Sequence, residues 1–258
     1  LFIGSLLLGL TFSIKWNGLG FWLMSVLFLL FLFFLNKQLK TEQNNAFLSH
    51  VNKFKTNFLS ILLIPFAGYL ILWIPDLFFN GTDIVDRHLQ MSSYHTDNVE
   101  QKLHPYSSSW FTWPIMLRPI AYYFASQEVM IASAESLTVF NAVHLFPNPA
   151  LTLFSSMAIF ILSLNWLSSL SKAISSNTYN SSFVAISFIL LGYYSNFLPW
   201  ALVSRSAFIY HYQASACFSF IALAYLLYKI NLKEKVEYKV LYIVSVILIG
   251  ASAIYWLP

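Results

Sequence analysis

LGFWLMSVLFLLFLFFL, residues 19–35, carries no charged side chain and a single hydroxyl, Ser25. Its apolar residues run on without period-two alternation, so it does not read as a strand of a membrane barrel. In hydrocarbon every backbone N–H and C=O must be satisfied within the segment, which leaves an α-helix. Six other blocks read the same way: Leu1–Ile14 (truncated at its start), Phe58–Ile74, Ala150–Leu170, Phe183–Leu202, Ala207–Tyr228 and Val240–Leu257. A spanning helix needs about 20 mainly apolar residues. Across all 258 residues, 58% are hydrophobic and 9% charged, against about a quarter charged in a soluble domain. The expected fold is an all-α polytopic membrane protein with about seven transmembrane helices. Pro65 is expected to kink the third, a cost that neighbouring helices absorb.

The chain starts inside an apolar run, without Met or a basic flank, and stops on Trp256-Leu257-Pro258. It is expected to be an internal piece of a longer protein, and its first block lacks the marks of a signal peptide. The single cysteine, Cys217, lies in an apolar run, so no disulfide framework exists within the chain.

Charge sets the orientation. Nine of the 14 Lys and Arg fall on one side of the alternating helices: Lys37, Lys40, Lys53, Lys55, Lys172, Lys229, Lys233, Lys235 and Lys239. The positive-inside bias makes that side cytoplasmic. A pI near 9 therefore reflects topology, and no nucleic-acid partner is expected. Lys15, Arg87, Lys102, Arg118 and Arg205 lie outside, with seven of the ten acidic residues. The expected division is residues 1–75 with three helices, 76–148 as an extracytoplasmic loop, and 149–258 with four helices.

An outer cation works against the bias and calls for a local reason. Lys15, Arg118 and Arg205 each sit in a polar-aromatic cluster. Each could be a snorkelling side chain; two or three together could converge on one lipid-linked phosphate, a common use of Lys as a point charge. Arg205 and Tyr212, seven apart, are expected to share a helix face, with His211 near it. An interfacial charge beside hydrogen-bonding aromatics reads as a functional site. An anchoring aromatic belt is the other reading.

Within the outer loop, Ile84, His88, Met91 and His95 fall at helical spacing, which predicts a surface helix over Asp83–His95, capped by Thr82 or Asp83. Residues 120–146 are aromatic or β-branched between turn formers and read as irregular structure or short strand. Pro147-Asn148-Pro149 is expected to open the next helix. His88, His95 and His104 share the loop with Asp83, Asp86 and Asp97, but none has tight metal-ligand spacing, and interfacial or hydrogen-bonding histidines fit as well. Ser107–Ser109 lack a nucleophile elbow, and no phosphate-binding G-x-x-x-x-G-K-[ST] occurs.

One loop stretch is unlike a linker: HPYSSSWFTWPIMLRP, from His104 to Pro119. It resembles the outer-loop motif of bacterial protein O-mannosyltransferases, the group dependent on dolichyl- or polyprenyl-phosphate mannose. GLTFSIKWNGL at Gly9–Leu19, the Asp86–His95 segment ending MSSYH, and GYYSNFLPWALVSRSAFIYHY at Gly192–Tyr212 resemble further family stretches in the same order. The family's Gly-Asn-Pro followed by paired tryptophans is here Pro147-Asn148-Pro149, then Thr152-Leu153.

The resemblance implies a GT-C-type glycosyltransferase in a bacterial-type plasma membrane, with its active site on the extracytoplasmic face. It implies transfer of mannose from a polyprenyl-phosphate-mannose donor to Ser or Thr hydroxyls of an exported protein, with inversion. No cofactor is implied, and a divalent cation remains possible. Lys15, Arg118 and Arg205 would bind the lipid phosphate. His104, Tyr106, Trp110, Trp113 and His211 would shape the sugar or acceptor site. The family's acidic base is expected upstream of Leu1, so no catalytic residue is assigned here and residues 1–258 alone are expected to be inactive. The alternatives are a related glycosyltransferase with a lipid or glycan acceptor, a non-catalytic membrane subunit, or a transporter. A transporter should show inverted repeats and several broken helices; no repeat is visible, and Pro65 is the one clear interior break.

Overall fold

The computed structural model describes residues 1–38, 40–41, 54–81, 83–96, 104–132 and 135–255. Thr82, one of the two candidate caps, and Lys53, Asp97 and Lys102 of the charge pattern lie outside the described residues. The chain runs α1 (Phe2–Ile14), a 3-10 turn (Trp16–Gly18), α2 (Leu19–Gln38), β1 (Lys40–Thr41), α3 (Phe54–Asn80) and α4 (Ile84–Thr96). A 3-10 turn (Trp110–Ile115) leads to β2 (Ile120–Ala132) and β3 (Glu135–Leu145). Then follow α5 (Pro149–Ser176), β4 (Thr178–Tyr179) and α6 (Ser181–Phe197). Two 3-10 segments (Leu198–Leu202 and Ile209–Tyr212) lead to α7 (Gln213–Asn231) and α8 (Val236–Tyr255).

Six described segments are long and apolar enough to cross a membrane: Trp16–Leu35, Asn57–Asn80, Pro149–Ser176, Ser181–Leu202, Ile209–Asn231 and Val236–Tyr255. The protein is an all-α polytopic membrane protein. α1, with 13 residues, reaches about 20 Å, short of the roughly 30 Å hydrocarbon core.

The core lies between α2, α5, α6 and α7, around Met24, Ile159, Leu162, Ile186, Leu190, Phe218 and Ala222. Small residues let the helices approach, as lipid supplies no hydrophobic drive between them. Ser155, Ser187, Ser215 and Ser219 are fully buried, and the Ser219 hydroxyl donates to Ser155 Oγ at 3.1 Å. α1 packs on α3, where a Cβ on Gly9 would come within 2.2 Å of the Pro65 carbonyl oxygen. α8 buries none of its residues; Asn148 Nδ2 donates to its Ile249 carbonyl at 3.0 Å.

Three local expectations are corrected. α3 runs on past Ile74 to Asn80 and takes in Pro75 as well as Pro65. The apolar run breaks at Asp76 but resumes in Leu77, Phe78 and Phe79, and Asn80 Nδ2 donates to Asp76 Oδ1 at 2.6 Å in the last turn. Ile120–Ala132 and Glu135–Leu145 pair as a long antiparallel hairpin of 13 and 11 residues, with register shifts at Tyr122 and Ile131. Its alternation is hidden because both faces carry apolar side chains: Tyr123, Val129, Val139 and Val143 on one, Phe124, Met130 and Phe140 on the other. Arg205 lies in the link before Ile209–Tyr212, not on a helix, so the face it was to share with Tyr212 does not exist. Pro199 stops the regular α6 geometry, and the chain re-enters helix only at Ile209.

Other expectations hold. The short helix expected over Asp83–His95 is α4, with Asp83 Oδ1 accepting from the Val85 amide at 2.8 Å. Asn148 caps α5, accepting from the Leu151 amide at 3.0 Å, with Pro149 in the first turn. One end of the bundle holds the β1–β4 pairing, Lys40 with Thr178 and Thr41 with Tyr179. The other end gathers the turn after α1, α4, the 104–119 loop, the hairpin base and the 198–212 link.

Candidate functional site

The site is built on that second end, and its floor is a stack of buried aromatics. Trp113 is 1% exposed. Its indole lies 5.3 Å from Trp200 and 6.1 Å from the parallel His211 ring, and Trp200 lies 4.3 Å from His211. The Trp113 indole N–H donates to Ser108 Oγ at 2.9 Å, which satisfies a polar atom that burial would otherwise make costly. His211, also 1% exposed, is oriented by Phe208: its Nδ1 lies 3.1 Å from the Phe208 amide nitrogen and 3.0 Å from the Phe208 carbonyl oxygen. Trp113 and His211 therefore fix the 104–119 loop to the 198–212 link rather than lining an open wall. Trp110 extends this packing onto Phe197 at 4.9 Å.

Backbone contacts seal the same junction. The Ser108 amide donates to the Ala207 carbonyl at 2.8 Å, and the His104 amide to Ser206 Oγ at 3.4 Å. His104 Nδ1 accepts from the Tyr106 amide at 3.2 Å, and the ring meets Phe208 edge-on at 5.2 Å. Phe208 stacks on Tyr210 at 5.6 Å. A ladder thus rises from His104 through Phe208 to Tyr210.

On top of Tyr210 sits Lys15, its Nζ 5.0 Å from the ring centroid. The Arg205 guanidinium lies 5.6 Å from the Tyr94 ring centroid and donates from Nη1 to the Ser206 carbonyl at 3.0 Å. Two cations far apart in sequence are thereby each seated on a tyrosine face, close enough to act on one another electrostatically. Cation–π contact holds a cation without neutralising it. Lys15 keeps exposed surface, yet partial desolvation of its ammonium, and then the neighbouring Arg205 charge, push its pKa below the ordinary lysine value.

Arg118 is placed differently. Its Nη1 donates to the Ser107 carbonyl at 3.1 Å, closing the 104–119 loop on itself. Among the described contacts nothing joins it to the Lys15–Arg205 pair. Tyr94, Tyr122, Trp200 and Phe208 belong to the site although none was assigned to it from the sequence. Tyr122 is the extra residue at the first register shift of the hairpin, where a bulge redirects a side chain. With Arg205 and Tyr94, it lies close enough to Tyr210 to act on it electrostatically. Among the described residues no group of His, Cys, Asp and Glu is arranged to hold a metal ion.

A family model described as the C-terminal four TMM region of protein-O-mannosyltransferase matches residues 80–258. Two curated proteins from Mycolicibacterium smegmatis, strains ATCC 700084 / mc(2)155 and MKD8, are similar to this chain. Each is a polyprenol-phosphate-mannose--protein mannosyltransferase, 27% identical over 255 residues that cover 88% of this chain and 46% of the relative. The chain thus spans about half the length of the curated relatives it matches. No solved structure matches it.

Proposed function

The chain belongs to the protein-O-mannosyltransferase family, and from that premise we propose that it forms the donor-phosphate half of an enzyme that moves mannose from a polyprenyl-phosphate carrier to a Ser or Thr hydroxyl of an exported protein. The observation that carries this reading is the pairing of Lys15 and Arg205 on the faces of Tyr210 and Tyr94. The charge bias of the loops supports an extracytoplasmic location for that end of the bundle.

The chemistry explains why cations belong there. The acceptor hydroxyl oxygen attacks the anomeric carbon from the face opposite the phosphate. A carboxylate takes the hydroxyl proton, the bond from carbon to phosphate oxygen breaks, and polyprenyl phosphate leaves with the electron pair. The phosphate passes from a diester monoanion to a monoester dianion. Charge therefore develops on the leaving group, and fixed cations there favour the transition state over the bound donor. Lys15 supplies a point charge, and Arg205 a planar fork suited to two phosphate oxygens. His104, at the foot of the ladder, and Tyr106, whose ring lies 6.1 Å from it, would shape the neighbouring sugar or acceptor space.

The test is transfer of labelled mannose from polyprenyl-phosphate mannose to a Ser/Thr peptide by the intact protein in proteoliposomes. Arg205→Ala should depress transfer strongly. Full activity and an unchanged donor KM would overturn the role.

A further inference from the structure

We propose that α4 is a strap that sets the spacing of Lys15 and Arg205, with His88 and Tyr94 as its two positioning residues; this rests on the reading of those cations as the donor-phosphate site. The first attachment is at His88. Its ring lies 4.9 Å from Trp73 and 6.2 Å from Trp16, nearly parallel to the latter. Its Nε2 is 2.6 Å from the Tyr69 hydroxyl, its Nδ1 is 2.6 Å from the Ile84 carbonyl oxygen, and the Trp16 indole nitrogen is 3.3 Å from the same hydroxyl.

Two of these groups have fixed roles, and they set the rest. A carbonyl only accepts, so Nδ1 carries the proton and donates to Ile84. An indole N–H only donates, so the Tyr69 oxygen accepts from Trp16. In the neutral imidazole Nε2 is then an acceptor, and the Tyr69 O–H donates to it. The relay runs in one direction, from Trp16 through Tyr69 and His88 to Ile84. Trp16 directly follows Lys15, so the relay ties the N-terminal part of α4 to the turn that carries the first cation.

The second attachment is Tyr94, whose ring lies beneath Arg205 at 5.6 Å. Six residues along a helix is about 9 Å of rise and about 240° of rotation, so His88 and Tyr94 present different faces. α4 therefore lies between the α1–α2 turn and the Val203–Phe208 link and touches each with a separate side chain. Lys15 and Arg205 carry like charge, and the lowered pKa of Lys15 reflects first its partial desolvation and then that neighbouring charge. The strap opposes that repulsion from both ends. His88, read from sequence as an interfacial or metal-seeking histidine, is a structural tie in this arrangement.

The experiment uses the intact protein in proteoliposomes, with donor and acceptor KM and kcat measured separately for Tyr94→Leu, Tyr94→Phe, His88→Ala and His88→Gln. Tyr94→Leu removes the ring face and should raise donor KM about fivefold, the size of a partly exposed cation–π contact. Tyr94→Phe keeps the face and should restore it. His88→Ala should raise donor KM similarly, and His88→Gln, whose amide oxygen can accept from Tyr69, should recover most of the loss. Acceptor KM and the thermal midpoint should stay put, since a general loosening would move both. Should His88→Ala fail to fold, the Tyr94 pair decides, because Tyr94 is 53% exposed and its change does not open the core. Unchanged donor KM in Tyr94→Leu, while Lys15→Ala and Arg205→Ala are impaired, overturns the strap alone. Unchanged kinetics in Lys15→Ala and Arg205→Ala overturns the phosphate reading beneath it.

Discussion

Arg205→Ala removes a half-buried guanidinium from the place where negative charge is proposed to grow. The leaving phosphate gains one unit of charge as its bond to the sugar breaks. A unit charge about 4 Å from a cation, at an effective dielectric of about 20, is stabilised by about 4 kcal/mol. The site is open to solvent beside Lys15, and screening takes roughly half of that, leaving about 2 kcal/mol. That is about thirtyfold in rate. The cation meets the bound donor's monoanion as well as the charge that develops during bond breaking, so donor KM should rise and kcat should fall together. Arg205→Lys keeps the charge but loses the planar fork, so it should recover part of the rate and not all. The assay is initial-rate kinetics on the intact protein in proteoliposomes, varying donor at saturating acceptor and then the reverse. A kcat for Arg205→Ala within about twofold of the parent, or a defect confined to acceptor KM, would refute the reasoning.

Lys15 should give the site a pH dependence with a definite sign. Its pKa lies below the ordinary lysine value, so its charge, and with it donor binding, should be lost as pH rises, at a pH lower than an unperturbed lysine would require. Lys15→Arg should abolish that alkaline limb of the donor-KM profile. Trp113→Ala empties a fully buried indole site and should cost about 3–5 kcal/mol of stability, read as a lower melting point and faster proteolysis of the 104–119 loop. Gly9→Ala places a methyl against the Pro65 carbonyl and should destabilise by about 1–3 kcal/mol in thermal unfolding. Asn148→Ala removes both the α5 cap and the donor to Ile249, for about 1–2 kcal/mol in the same measurement.

The spanning helices were legible because apolar runs in lipid have one solution, and residues 19–35 state it without ambiguity. The short helix was legible because Ile84, His88 and Met91 keep helical spacing. The hairpin was not, since a strand exposed on both faces shows no alternation to read. The helix end at Asn80 was not legible either, because Pro75 and Asp76 interrupt the apolar run before Leu77, Phe78 and Phe79 carry it on. Within the site, the charges themselves were visible: Lys15 and Arg205 stand out against the orientation bias, and the structure brings both to one end of the bundle. Their partners were not. Tyr94, Tyr122 and Phe208 are ordinary aromatics until the 198–212 link folds back over the 104–119 loop. Arg118 shows the reverse. It carries the same charge in the same region, yet among the described contacts nothing joins it to Lys15 or Arg205.

The pairing of Lys15 and Arg205 as an anion site is tested most directly by binding, apart from turnover. Polyprenyl monophosphate should be titrated calorimetrically into the intact protein in nanodiscs, beside the Lys15→Ala/Arg205→Ala double variant. Loss of both cations should weaken binding by about a hundredfold or more, and added salt should weaken the parent far more than the variant. Equal affinity in the two proteins, with equal salt dependence, would contradict the site.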